Sequence, residues 1–230
     1  IDYPKVRREM MALAQSEALQ GDGVLRQHAI RALGIWLQEQ PEGRKSAREV
    51  QSCLLEVAMG DASAGIRLQA EEWVRGARLG PVQLSRMQRL VQKGSQVPLH
   101  LRLRAVRFLV QQLKYHPGDV RDLALLLEGA AAADQDHKIR EYATRGLVHS
   151  GSARSLEVLR QNLLHDPDWN VRYAAAESIK KFPYQTLSEV NEVQKTLERA
   201  AYADPMPLVS DQARQALQDL TQAVPEASSP

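Results

Sequence analysis

The side chains with the densest chemical potential in this 230-residue sequence are cations. From Trp73 through Gly118 there is no Asp or Glu, while Arg75, Arg78, Arg86, Arg89, Lys93, Arg102, Arg104, Arg107 and Lys114 supply nine positive charges. The formal net charge of the whole chain is only +2, so the remainder sums to −7 and the sequence has a basic middle with acidic ends. In a chain that is 25% charged, a run of 46 residues without one acid concentrates like charge, and a bound anionic surface relieves that repulsion. The pairs Arg75/Arg78, Arg86/Arg89 and Arg104/Arg107 are spaced i,i+3, which predicts that both members of each share a helix face. Candidate binding residues are therefore Arg75, Arg78, Arg86, Arg89, Arg102, Arg104 and Arg107.

Other chemistry is sparse. The six histidines, at 28, 100, 116, 137, 149 and 165, are scattered, and His137 and His149, read as lying on one helix, are too far apart to share a metal. A single cysteine, Cys53, sits in an apolar run, which excludes an intrachain disulfide and predicts a buried, inert thiol. No Gly-rich phosphate loop, Gly-x-Ser-x-Gly turn or His-Glu-x-x-His occurs, so the sequence offers no catalytic residues, no metal site and no cofactor motif. Aromatics are only 5%, and Phe108 and Tyr115 alone are interleaved with the basic stretch, too few for a base-stacking platform.

The elements that carry these cations are repeated. Six segments share one phrase, an aliphatic, usually Arg, two variable residues, Ala, three variable residues and a second aliphatic: Leu25…Ala29…Leu33, Ile66…Ala70…Val74, Leu101…Ala105…Leu109, Ile139…Ala143…Leu147, Val171…Ala175…Ile179 and Val209…Ala213…Leu217. The i, i+4, i+8 spacing lays all three on one helical face, and the small Ala lets neighbouring helix axes approach. Successive phrases begin 41, 35, 38, 32 and 38 residues apart, the period of stacked helical hairpins. The phrase Arg has Ser210 in its place in the last copy, as in a terminal cap, and acids precede it at Asp22, Asp61, Asp134, Asp136, Asp166, Asp168 and Asp204. This predicts that the Arg residues, Arg102 among them, form a structural ladder through turn carboxylates or helix-end carbonyls.

The best copy, His165-Asp-Pro-Asp-Trp-Asn-Val-Arg-Tyr-Ala-Ala-Ala-Glu-Ser-Ile179, resembles HEAT repeats, particularly the bacterial HEAT-like repeats of the phycobilisome-lyase type, and the resemblance extends over residues 4–222. It implies an all-α solenoid, armadillo-like, of about six antiparallel hairpins in a right-handed superhelix. The hairpins are expected near 4–39, 46–77, 81–113, 119–149, 153–182 and 186–223, forming one solenoid over 1–223 with a disordered tail at 224–230 and no strands. Partner helices are expected near 4–19, 46–59, 81–93, 119–133, 153–164 and 186–202, with Ser46, Asp119 and Thr186 as N-caps and Pro81 in a first turn. Proteins with such repeats include scaffolds, adaptors, chromophore lyases and some nucleic-acid enzymes.

The leading functional reading is a non-catalytic protein-binding scaffold or adaptor whose basic patch takes an acidic protein surface or another domain of the same polypeptide. Two alternatives follow from the resemblance: a protein gripping the nucleic-acid backbone, and a bilin lyase-type subunit. A glycosylase is weaker because Trp36 and Trp169 lie far along the chain from the basic stretch, and Trp73 sits beside the last aliphatic of its phrase, where packing accounts for it. Self-association through basic middle and acidic ends is a further expectation. No apolar run spans a bilayer, since Leu123–Ala133 is interrupted by Glu128. The chain opens on Ile1 and is read as a trimmed piece, which leaves the compartment open, with cytoplasm favoured over periplasm.

Overall fold

The structure is a computed structural model that describes residues 4–16, 23–40, 44–116 and 120–223. Among the described residues twelve α-helices follow one another: α1 (Pro4–Gln15), α2 (Gly23–Gln38), α3 (Lys45–Gly60), α4 (Ala64–Val74), α5 (Pro81–Gln92), α6 (Leu99–Tyr115), α7 (Val120–Ala133), α8 (His137–Gly146), α9 (Ala153–His165), α10 (Trp169–Lys180), α11 (Leu187–Ala203) and α12 (Pro207–Ala223). Short 3-10 segments cover Gly94–Gln96 and Leu147–His149, and there is no strand among the described residues. No helix among them is long and apolar enough to cross a membrane.

The chain forms two compact units, residues 1–85 and 86–230. In the first, α1 pairs with α2 and α3 with α4, and the hairpins stack through α1 on α3 and α2 on α4. In the second, α7 pairs with α8, α9 with α10 and α11 with α12. There α6, α8, α10 and α12 build one layer, and α7, α9 and α11 the other.

The repeated phrase explains this stacking. All six alanines are buried, from 3% exposure at Ala29 to 0% at Ala70, Ala105, Ala143, Ala175 and Ala213, where helices cross at close range. The aliphatics above and below them are buried in most copies, including Ile66, Ile139, Val171, Val209, Leu33, Val74, Leu109, Leu147 and Ile179. The phrase loosens at Leu25, which is 47% exposed, and at Leu101 and Leu217, which are half-buried.

Helix starts follow short polar side chains. Ser63, Asp136, Ser152, Asp168 and Thr186 each accept a backbone N–H from the first turn of the following helix, and Thr186 with Glu189 completes a reciprocal capping box. Pro81 is the first residue of α5, as expected. Ser46 is not a cap: α3 begins one residue earlier at Lys45, with Arg44 in the cap position and no side chain bonding the first turn. Asp119, Asp22 and the 224–230 tail lie outside the described residues. His149 does not share a helix with His137, because α8 ends at Gly146 and the chain tightens into a 3-10 turn.

Candidate functional site

The phrase arginines are structural, and the exposed cations stand at other positions. Arg140 donates from Nε and Nη2 to Asp166 at 2.7 and 2.9 Å, while its Nη1 donates to the carbonyl of Asp134 at 2.9 Å. Arg172 repeats the pattern one hairpin later, gripping Asp204 at 2.7 and 3.1 Å and the Asp166 carbonyl at 2.9 Å. The Asp134 and Asp166 turns are thus held from both sides: the carboxylate by the Arg of the preceding repeat, the carbonyl by the Arg of its own. The carboxylates also accept the N–H two residues ahead, as Asp134 does from Asp136, Asp166 from Asp168 and Asp204 from Met206, each at 2.9 Å. Arg26 with Asp61 and Arg102 with Asp134 are further rungs. The acid that pairs with an Arg is therefore the one in the next turn along the chain, five residues before the next phrase, and the acid preceding an Arg in sequence serves it only through main-chain oxygen.

The third turn interrupts this order. Its equivalent position is Gln96 in the acid-free stretch, and Arg67 donates only to the carbonyls of Asp61 and Ala62, at 2.5 and 2.8 Å. Arg102, expected on the binding surface, is 4% exposed and belongs to the ladder instead, paired with Asp134.

Arg86 and Arg89 are exposed on α5, with the i,i+3 spacing intact. On α6, Arg107 is exposed and Arg104 half-buried. The pair Arg75/Arg78 departs from the expected helix face. Helix α4 ends at Val74, Arg75 is its extended C-cap residue, and Gly76 at φ 74° turns the chain into a loop that carries Arg78. Both are exposed, in the first unit, whereas Arg86, Arg89, Arg104 and Arg107 belong to the second. Lys114 lies over the Tyr115 ring at 5.0 Å.

The aromatics have packing partners. Trp73 lies directly over Gly34, where an added Cβ would collide with the indole. Trp36 lies under the Arg7 guanidinium at 5.2 Å, and Phe108 is 3% exposed. No stacking platform accompanies the arginines. Cys53 is buried, its thiol pushed up to about 12 by burial and the nearby Glu56 charge. Among the described residues no group of His, Cys, Asp and Glu is arranged to hold a metal ion.

Two polar clusters left no signal in the sequence. Glu128, 3% exposed on α7, accepts from the Ser152 and Ser155 hydroxyls at 3.1 and 2.7 Å, and Asn162 donates to the Ala131 carbonyl at 3.1 Å and to Thr144 at 2.8 Å. Both tie α9 to its neighbours, and the other Glu128 oxygen, buried without a hydrogen bond, lies 3.0 Å from the Arg154 Nε in an ion pair. The partners lie 18 to 31 residues apart, with no fixed phrase linking them.

Residues 123–218 match the family model described as HEAT repeats. Among solved structures, a crystal structure of an engineered protein is similar at 18% identity with a TM-score of 0.52, over 94% of this chain and 98% of that one. A designed armadillo repeat protein is similar at 17% identity with a TM-score of 0.49, over 92% of this chain and 98% of that one. No curated protein sequence matches. The helical hairpins stacked within each unit and the HEAT match over residues 123–218 define an all-α helical repeat protein of HEAT-like fold. Such a fold is commonly an interaction scaffold, and the work it does is set by the surface it displays.

Proposed function

We propose that the protein is a non-catalytic interaction scaffold or adaptor that receives an acidic protein surface on its basic middle. The observation that carries this reading is the run from Trp73 through Gly118, nine cations without one acid, in which Arg75, Arg78, Arg86, Arg89 and Arg107 are exposed. Complementary potential of this kind sets partner choice and association rate. A repeat solenoid offers a broad surface for it without a catalytic pocket.

The test is charge reversal. A variant carrying Arg86→Glu, Arg89→Glu and Arg107→Glu is expected to keep its far-UV dichroism and lose cross-links to acidic partners; unchanged cross-linking removes the site assignment. Titration of a labelled mixed-sequence DNA duplex at about 50 and 200 mM salt separates this reading from phosphate gripping, which loses affinity steeply across that range. A bilin added to the protein is expected to show no change in its absorption spectrum.

A further inference from the structure

Within each unit the second helices of successive hairpins meet in one register. In the first unit, Trp73 of α4 lies over Gly34 of α2, and Gln69 donates to the Gln27 carbonyl at 3.3 Å. In the second, a Cβ added at Gly146 of α8 would meet Val110 of α6, Ser178 of α10 donates to the Thr144 carbonyl of α8 at 3.4 Å, and Asp219 of α12 pairs with Lys180 of α10. Counted from the first aliphatic of each phrase, the residues that look back at the preceding hairpin stand three (Gln69), seven (Trp73, Gly146, Ser178) and ten (Asp219) places on. Those they meet stand nine places on (Gly34, Val110, Lys180), or five for Thr144. The helical period puts the first aliphatic with positions three, seven and ten on one side, and five with nine on the other.

In α2 the side that looks back consists of Leu25, His28, Ala32 and Ile35. Leu25 is 47% and Ile35 45% exposed, His28 is exposed and Ala32 half-buried, whereas the first position is 2% exposed at Ile66 and fully buried at Ile139, Val171 and Val209. The face that packs on a neighbouring helix in the later copies is therefore open in the first. The last copy ends differently: the forward positions of α12 are Arg214 and Gln218, both exposed and polar, as a terminal repeat requires. Arg31, six places into its phrase, is exposed and has no ion pair among the described residues. Its counterparts Arg145 and Glu177 pair with each other between α8 and α10. Helix α2 itself contains no acid, and Glu39 follows its last turn, eight residues beyond Arg31.

We propose that this face of α2 is a docking site for an amphipathic helix of a partner protein, which continues the helix-on-helix stacking that α2 makes with α4. The helix lies on Leu25, Ala32 and Ile35, with a branched aliphatic over the small Ala32, as Val110 faces Gly146, and a carboxylate toward Arg31, as Glu177 meets Arg145. A second copy does not supply these groups. Its α12 presents Arg214 and Gln218 where α6 has Val106 and Val110, and a two-fold pairing of α2, centred near Ile30, sets Arg31 against its own image. The inference goes beyond the basic middle, because no residue of the run from Trp73 through Gly118 belongs to α2.

The experiment is fluorescence anisotropy of the whole chain with a labelled peptide of the α6 sequence, Leu99–Tyr115, carrying Arg107→Glu, which supplies Val106, a carboxylate and Val110 at the five, six and nine places. The same peptide with Arg107 retained is the control. The Glu peptide is expected to bind saturably and more tightly than the control. Leu25→Glu and Ile35→Glu, at exposed positions where melting temperatures should hold, are expected to weaken it about tenfold or more, and Arg31→Glu to reverse the preference between the two peptides. No saturable binding, or equal affinity of the Leu25→Glu and Ile35→Glu variants, overturns the docking site, and an unchanged preference in Arg31→Glu overturns the carboxylate. Self-association in sedimentation that Leu25→Glu abolishes assigns the face to a second copy and overturns the partner helix. The Arg86/Arg89/Arg107 charge reversal should leave the peptide affinity unchanged, so this site and the basic middle fail separately; loss of binding in that variant places the peptide on the basic middle and overturns the α2 site.

Discussion

Arg140→Met is the substitution that tests the ladder most directly. The Arg140 side chain is 11% exposed and that of Asp166 4%, and the two share a bidentate contact. Removing the cation leaves a carboxylate away from water with only the Asp168 N–H at 2.9 Å for compensation. Breaking one partner of such a pair costs about 3–5 kcal/mol, chiefly from the stranded charge. At ~2–4 °C per kcal/mol for a chain of this size, the melting temperature followed by far-UV dichroism is expected to fall by about 6–20 °C. Arg67→Met is the internal control, since Arg67 touches two carbonyls and no carboxylate and should cost only about 1–2 kcal/mol. Adding Asp166→Asn to Arg140→Met should recover much of the loss, because the amide oxygen still accepts from Asp168 while no charge is stranded. If Arg140→Met costs no more than Arg67→Met, or the second substitution recovers nothing, the ladder does not stabilise the stack as argued.

The remaining predictions concern packing and pH. Ala175→Leu, at a fully buried crossing, should cost about 1–3 kcal/mol by overpacking, read as a lowered urea midpoint. Gly34→Ala should be destabilising by a comparable ~1–3 kcal/mol because the new methyl meets the Trp73 indole, whereas Gly129→Ala, facing open space, should raise stability by up to ~1 kcal/mol. His149 is held below its ordinary value of 6.5 by burial first and the Lys114 charge second, so the unfolded chain takes up the proton more readily than the folded one. Stability should accordingly fall as pH drops below about 6.5, and His149→Gln should flatten that slope in melts between about pH 7 and 5. A slope that survives the substitution assigns the effect elsewhere.

How much the sequence disclosed depends on whether a feature recurs. The phrase placed all six alanines in the core because each faces the same neighbour geometry, and its period located the partner helices within a few residues. The first phrase position was less legible: Leu25 carries the same residue type as the buried Ile66 and Ile139, yet is 47% exposed. The Arg75/Arg78 pair failed for a local reason that was present in the chain, Gly76, whose freedom to take positive φ ends α4 before the second arginine. The ladder was legible as a set of arginines and aspartates, but its direction required three dimensions, since Arg140 and Arg172 each have an acid in the turn before and in the turn after.

The third turn shows why the functional surface was hardest to read. Gln96 and a 3-10 segment stand where other repeats place aspartates, so Arg67 is left with main-chain carbonyls alone and the stretch keeps its positive charge. An absent acid leaves no motif, and which of the cations reach solvent, Arg75, Arg78, Arg86, Arg89 and Arg107 among them, is decided by packing and by where α4 ends.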